Sequence, residues 1–182
     1  ACFRAMAEIS EQIGKDGSVY RAEYEKLTAV IEKFFWDEEK GAYIDSFTSG
    51  RRNVTRHANI FAILFSIADE KKQEKILKNV LENVEIPAIT TPYFNFFELD
   101  VLCRMGKLTE VLDKIRSYWG GMLDLGAVTF WEEYDPSVPK EEQYDMYGDH
   151  FGKSLCHAWA ASPIYFLAKY FAGLDLVNKD GV

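Results

Sequence analysis

The segment Gly126-Ala127-Val128-Thr129-Phe130-Trp131-Glu132-Glu133-Tyr134-Asp135-Pro136 sets aromatic rings beside adjacent carboxylates. Aromatic faces stack on the C–H faces of sugars, and carboxylates do the acid–base work of glycosidic cleavage, which takes two of them flanking the scissile bond. Glu141, Glu142, Asp145 and Asp149 follow in the same loop, but Glu132 and Glu133 stand out because Trp131 precedes them and Tyr134 follows. Taken singly, any one of these acids reads first as a solvated surface residue. His57, His150 and His157 all fall at or near the starts of apolar helical patterns. Tyr93, with Thr91 and Asn95, opens another such pattern, and Trp36 and Trp159 either line a cleft or pack.

Other chemistries lack their signatures. There is no HExxH and no helical ligand spacing among the histidines, so no metal site is expected. The absence of GxGxxG and Walker loops gives no case for a nucleotide, and there is no GxSxG elbow. Cys156 and His157 are neighbours on a predicted helix and point apart, which argues against a Cys–His nucleophile. No cofactor is expected.

These residues need a scaffold, and the sequence supplies one of helices. Apolar residues recur at three- and four-residue steps over Tyr20–Phe34, Ile76–Val84 and Leu108–Trp119, the pattern of outer helices with one buried stripe. Between them lie stretches apolar nearly all round: Ala58–Ala68, about Tyr93–Met105 and about Leu155–Phe171, with residues 1–13 as a candidate fourth. Short links (Gly14–Gly17, Asp69-Glu70, Gly106-Lys107) join buried to amphipathic helices, and the returns at about 37–53, 85–91 and 120–152 are long. Short links make antiparallel neighbours. The long loops therefore gather at one end, the start of the buried helices. The predicted fold is all-α: an α/α toroid, partial at about seven helices, whose long loops build a cleft. A self-contained irregular bundle fits the periodicity as well. Gly41, in the loop Asp37–Asp45, predicts a tight turn and a short hairpin.

The chain has 182 residues and is 48% hydrophobic, enough for one domain with a sizeable core. A net charge of −8 argues against nucleic acid, whose phosphates demand Lys and Arg. No membrane span is expected, since the most apolar stretch, Leu155–Leu174, contains His157, Pro163 and Lys169. Cys2, Cys103 and Cys156 lie in apolar helical patterns and read as buried free thiols. The compartment stays open. Ala1–Met6 already reads as mid-helix, so the chain is expected to be a piece of a longer protein, with a domain over 1–173 and a tail or following domain from 174 to 182.

Three motifs together carry a family likeness. Thr129-Phe130-Trp131-Glu132 after Gly126, then Ser154-Leu155-Cys156-His157-Ala158-Trp159-Ala160-Ala161-Ser162-Pro163, with Phe35-Trp36-Asp37-Glu38 and Gly41 upstream, resemble bacterial α-L-rhamnosidases of glycoside hydrolase family 78. The likeness runs over about residues 1–173. It implies an (α/α)6 barrel and inverting hydrolysis of terminal α-L-rhamnosides. It implies that Glu132 is the general base, that His157 contacts the sugar and that Trp131 walls the rhamnose pocket, with Trp36, Glu133 and Tyr93 as further substrate-binding candidates. The general acid of that family lies in an upstream acidic motif with no match here, so the polypeptide alone is expected to be at most feebly active. Exposed edges of an incomplete ring predict self-association. Two other classes remain: a sugar epimerase or polysaccharide lyase working through His and Tyr, and a non-catalytic carbohydrate-binding or structural domain.

Overall fold

A computed structural model describes residues 1–174; all but the first residue of the expected tail, 174–182, lies outside them. The fold is all-α, with one two-stranded hairpin. Contacts divide the chain into two compact units, Ala1–Pro87 and a second beginning at Ala88.

In the first unit, α1 (Cys2–Gln12) pairs with α2 (Ser18–Phe35). Asp16 starts α2 by accepting hydrogen bonds from the Ser18 amide and hydroxyl at 2.9 and 3.0 Å. The chain then forms β1 (Trp36–Asp37) and β2 (Ala42–Tyr43), antiparallel, with Gly41 at φ +58 in the turn that its sequence predicts. Asn59, fully buried on α3 (Arg56–Leu64), pins the hairpin. Its amide oxygen accepts from the Tyr43 N–H at 2.8 Å, and its amide nitrogen donates to the carbonyls of Tyr43 at 2.9 Å and Thr55 at 2.8 Å. After the short link, Asp69 caps α4 (Glu70–Ile76), which continues as a π-helical turn, Leu77–Leu81, packed on α3.

In the second unit, α5 (Pro92–Arg104) opens on a proline, tolerated there because the first helical N–H has no partner anyway. It is largely buried, with Asn95 and every residue from Glu98 to Cys103 enclosed. α6 (Leu108–Lys114) packs against it and runs through a π turn, Ile115–Trp119, into α7 (Gly120–Asp124). A long loop with a 3₁₀ turn at Lys140–Glu142 leads to a second 3₁₀ turn, Ala158–Ala160. α8 (Ser162–Phe166) and a π turn, Leu167–Phe171, follow. The Trp119 indole donates to the Ala160 carbonyl at 2.8 Å, which ties the α6 end to the start of α8.

Four expectations are corrected. Leu155–Phe171 is not one helix: Leu155, Cys156 and His157 are non-helical, His157 is extended (φ −123, ψ 109), and the α-helix starts at Ser162-Pro163. Cys2 and Cys156 are exposed, and only Cys103 is buried, where desolvation raises its thiol pKa to about 11. α1 buries only Ala7 and Ser10, so it is not a fourth enclosed helix. The stripe on α2 buries no residue in this chain.

Candidate active site

The site is built in the second unit from two non-helical segments held side by side. The Glu132 N–H donates to the Ser154 carbonyl at 2.9 Å, and the His157 N–H donates to the Phe130 carbonyl at 2.8 Å. The Thr129 hydroxyl adds a bond to the Leu155 carbonyl. Backbone groups spent on this cross-link are not free for an i to i−4 ladder, which is why the helix cannot begin before His157.

Glu132 is 7% exposed, and each of its carboxylate oxygens has its own donor. Oε1 accepts from the Tyr147 hydroxyl at 2.7 Å, and Oε2 accepts from the Ser154 N–H at 3.1 Å. His157 Nδ1 lies 3.8 Å from Oε2. The Tyr147 bond above all, helped by the Ser154 amide and, less, by His157 and Lys153, holds the carboxyl below the usual glutamate range against the opposing effect of burial. The same contact raises the Tyr147 phenol. The arrangement favours an ionised carboxylate, the state a general base requires.

Glu133 faces elsewhere. It accepts from the Thr90 hydroxyl at 2.9 Å and has Lys153 Nζ at 3.9 Å. Lys153 is buried, and desolvation lowers its ammonium pKa while Glu133, Asp135, Asp145 and Glu132 oppose that shift. Thr90 is a hub: its carbonyl takes the Tyr134 N–H at 3.1 Å and the Tyr118 hydroxyl.

Trp131 is 3% exposed, with its ring 5.6 Å from that of Tyr144, so it stands within the packing. The open rings are others. The His157 and Trp159 rings meet at 4.1 Å between centroids, tilted by 32°, and Trp159 meets Tyr93 at 5.2 Å. Trp159 and Tyr93 are 47% and 49% exposed. They form an aromatic run leading away from the carboxylate. Trp36 belongs to the first unit, where Lys72 Nζ lies 5.0 Å from its ring and Tyr43 packs on its face edge-on. His57 is exposed in the first turn of α3, and His150 bonds Asp145 through Nδ1. Among the described residues, no group of three His, Cys, Asp or Glu is placed to hold a metal ion, and no helix is long and apolar enough to cross a membrane.

Sequence reasoning missed Tyr147, Ser154, Thr90 and Lys153. Ser154 stands only as the first residue of the motif that holds His157, and Tyr147 left a trace as the first half of a Tyr-Gly pair. Met146 and Asp149 exchange both backbone hydrogen bonds at 3.0 Å around Tyr147 and Gly148. Those two residues have φ +55 and +81, the signature of a type I′ turn. A left-handed backbone costs a residue with a Cβ roughly 1–2 kcal/mol.

Comparison with known proteins places the chain in one family. Residues 1–171 match the bacterial alpha-L-rhamnosidase 6 hairpin glycosidase domain. Among solved structures, the rhamnosidase from Klebsiella oxytoca with rhamnose bound is similar at 27% identity and a TM-score of 0.77, over 95% of this chain. The chain spans 32% of the length of that structure. No curated protein matches the sequence. With the family domain covering nearly all of the described residues, the chain belongs to the bacterial α-L-rhamnosidase six-hairpin glycosidase family.

Proposed function

We propose that this chain is the part of an inverting α-L-rhamnosidase that carries the general base, Glu132. The observation that carries the reading is a nearly buried carboxylate, kept ionised by a donor on each oxygen, beside His157 at the head of an exposed aromatic run. Glu132 accepts a proton from the attacking water, His157 contacts the sugar, and Trp159 and Tyr93 offer ring faces to it. Trp131 acts from behind, as packing that fixes the backbone of the base. Rhamnose bound in the similar structure supports a carbohydrate ligand. Glu133 is committed to Thr90 and Lys153 and is not the second carboxylate.

Inversion needs an acid roughly 6.5–9.5 Å from the base. The acidic motif that supplies it in family 78 enzymes has no counterpart in this sequence, so the 182-residue polypeptide by itself is at most feebly active. The test is hydrolysis of a 4-nitrophenyl α-L-rhamnoside by the longer enzyme. Glu132→Gln lowers kcat by roughly 10²–10⁴ under this reading. A loss on His57→Asn, His150→Asn or His157→Asn with Glu132→Gln still active would point to a His-based epimerase or lyase instead. Sugar binding without hydrolysis in every form would indicate a binding domain.

A further inference from the structure

Tyr147 occupies a position that ordinarily goes to another kind of residue. The first central place of a type I′ turn takes Asn, Asp or Gly, because φ must be positive there. Tyr147 holds it at φ +55 and is itself 80% exposed, so packing does not explain the choice. A residue kept in a disfavoured backbone region points to a local task. The contact that its side chain makes is the 2.7 Å hydrogen bond to Glu132 Oε1. The turn is braced from behind by Gly152, whose chain passes so close that an added Cβ would lie 2.1 Å from the Met146 carbonyl oxygen.

We propose that Tyr147 is a positioning residue, a turn-mounted latch that fixes the rotation of the Glu132 carboxylate by holding Oε1 while the Ser154 amide holds Oε2. This rests on the reading of Glu132 as the base. One donor leaves a carboxylate free to swing about its last bond; two donors on different oxygens define its plane. A base must meet its water at about 2.6–3.2 Å, so a defined plane selects where that water sits. The other charged or titratable groups facing Glu132 are His157 and Lys153, and neither donates a hydrogen bond to Oε1. The latch also favours the ionised carboxylate.

The experiment is a carboxyl-carbon NMR titration of Glu132 in the 182-residue chain, with the signal assigned by its loss in Glu132→Gln. Tyr147→Phe keeps the ring and removes the hydroxyl. Tyr147→Asn suits the turn better and also removes the phenol. The titration midpoint of Glu132 rises in both variants if the latch exists. An unchanged midpoint in Tyr147→Phe overturns it, as does a rise in Tyr147→Phe that Tyr147→Asn abolishes, since the turn and not the hydroxyl would then be responsible. Near-native turnover of Glu132→Gln in the longer enzyme would sink the base assignment without altering this titration, so the two failures are distinguishable.

Discussion

The Thr90 hydroxyl donates to the Glu133 carboxylate at 2.9 Å, and this one contact separates two acids that are adjacent in sequence. Glu132 and Glu133 leave the backbone in different directions. Glu133 ties its segment to the loop before α5, and Glu132 is left for the phenol of Tyr147 and the Ser154 amide. Thr90→Val removes a hydrogen bond to a charged group in a part-buried place, and a loss of about 1–2 kcal/mol in urea denaturation is expected. Rhamnose binding and the Glu132 titration should stay as they were.

Glu132→Gln in the longer enzyme should lower kcat by roughly 10²–10⁴, the range of a lost general base, with rhamnose still bound. The pH profile carries a sign. A base held below the ordinary glutamate range stays ionised to lower pH, so the acid limb of kcat/KM lies below the usual carboxylate value of about 4.3. Stability follows the same direction. The contribution of Glu132 is complete above its unfolded pKa and is lost as pH falls through the lower folded one. Chemical denaturation across that acid window should therefore show a shallower decline for Glu132→Gln than for the native chain.

Asn59→Ala should be among the most damaging single changes in the first unit. It leaves the Tyr43 N–H and the carbonyls of Tyr43 and Thr55 without their buried partner. A cost of roughly 2–4 kcal/mol is expected from several orphaned groups. Amide exchange at Tyr43 should accelerate more than exchange in α2, because the hairpin loses its anchor.

Gly152→Ala places a methyl group 2.1 Å from the Met146 carbonyl oxygen, a backbone atom that cannot rotate away. The turn must shift, at a cost of roughly 1–3 kcal/mol. The shift should carry the Tyr147 hydroxyl off Glu132. The variant should thus combine reduced stability with an upward move of the Glu132 titration, which Thr90→Val does not produce.

Phe3, Met6, Ile9 and Ile13 follow one another at helical steps along α1 and onto its C-cap, and all are exposed. Leu27, Val30 and Phe34 do the same on α2, where Phe47 packs against Phe34. We expect copies of the chain to associate through these stripes, as contiguous apolar surface favours. Sedimentation at high concentration should show dimers or larger species, and Met6→Lys with Ile9→Lys should return the chain to a monomer. A monomeric native chain would refute it.

Periodicity made α2, α3 and α5 legible to within a few residues, because their patterns run for several turns. The Gly41 hairpin was legible from a single residue. The Leu155–Phe171 stretch misled because an apolar run has the same composition whether its backbone bonds run along a helix or across to another segment. Here they run across to Phe130 and Glu132, a pairing written 22 residues or more away. Glu132 and His157 were found through motifs, but the donors that hold Glu132 were not. A hydroxyl at Tyr147 and an amide at Ser154 become partners only once the loop has closed, and no local pattern encodes that. The exposed thiols of Cys2 and Cys156 have the same origin, for apolar neighbours in sequence were not neighbours in burial.

The cross-link between the Glu132 and Ser154 segments also bears on how this fold tolerates change. The intervening loop is closed a second time from inside, because the buried Gln143 amide donates to the carbonyls of Asp135 and Val138. Two nested closures insulate the Glu132 carboxylate from the length of the exposed tip, Pro136–Glu142. Doubling a flexible loop adds only about 0.6 kcal/mol of closure entropy. A change in the length of the tip therefore costs little, and the Glu132 carboxylate keeps its place.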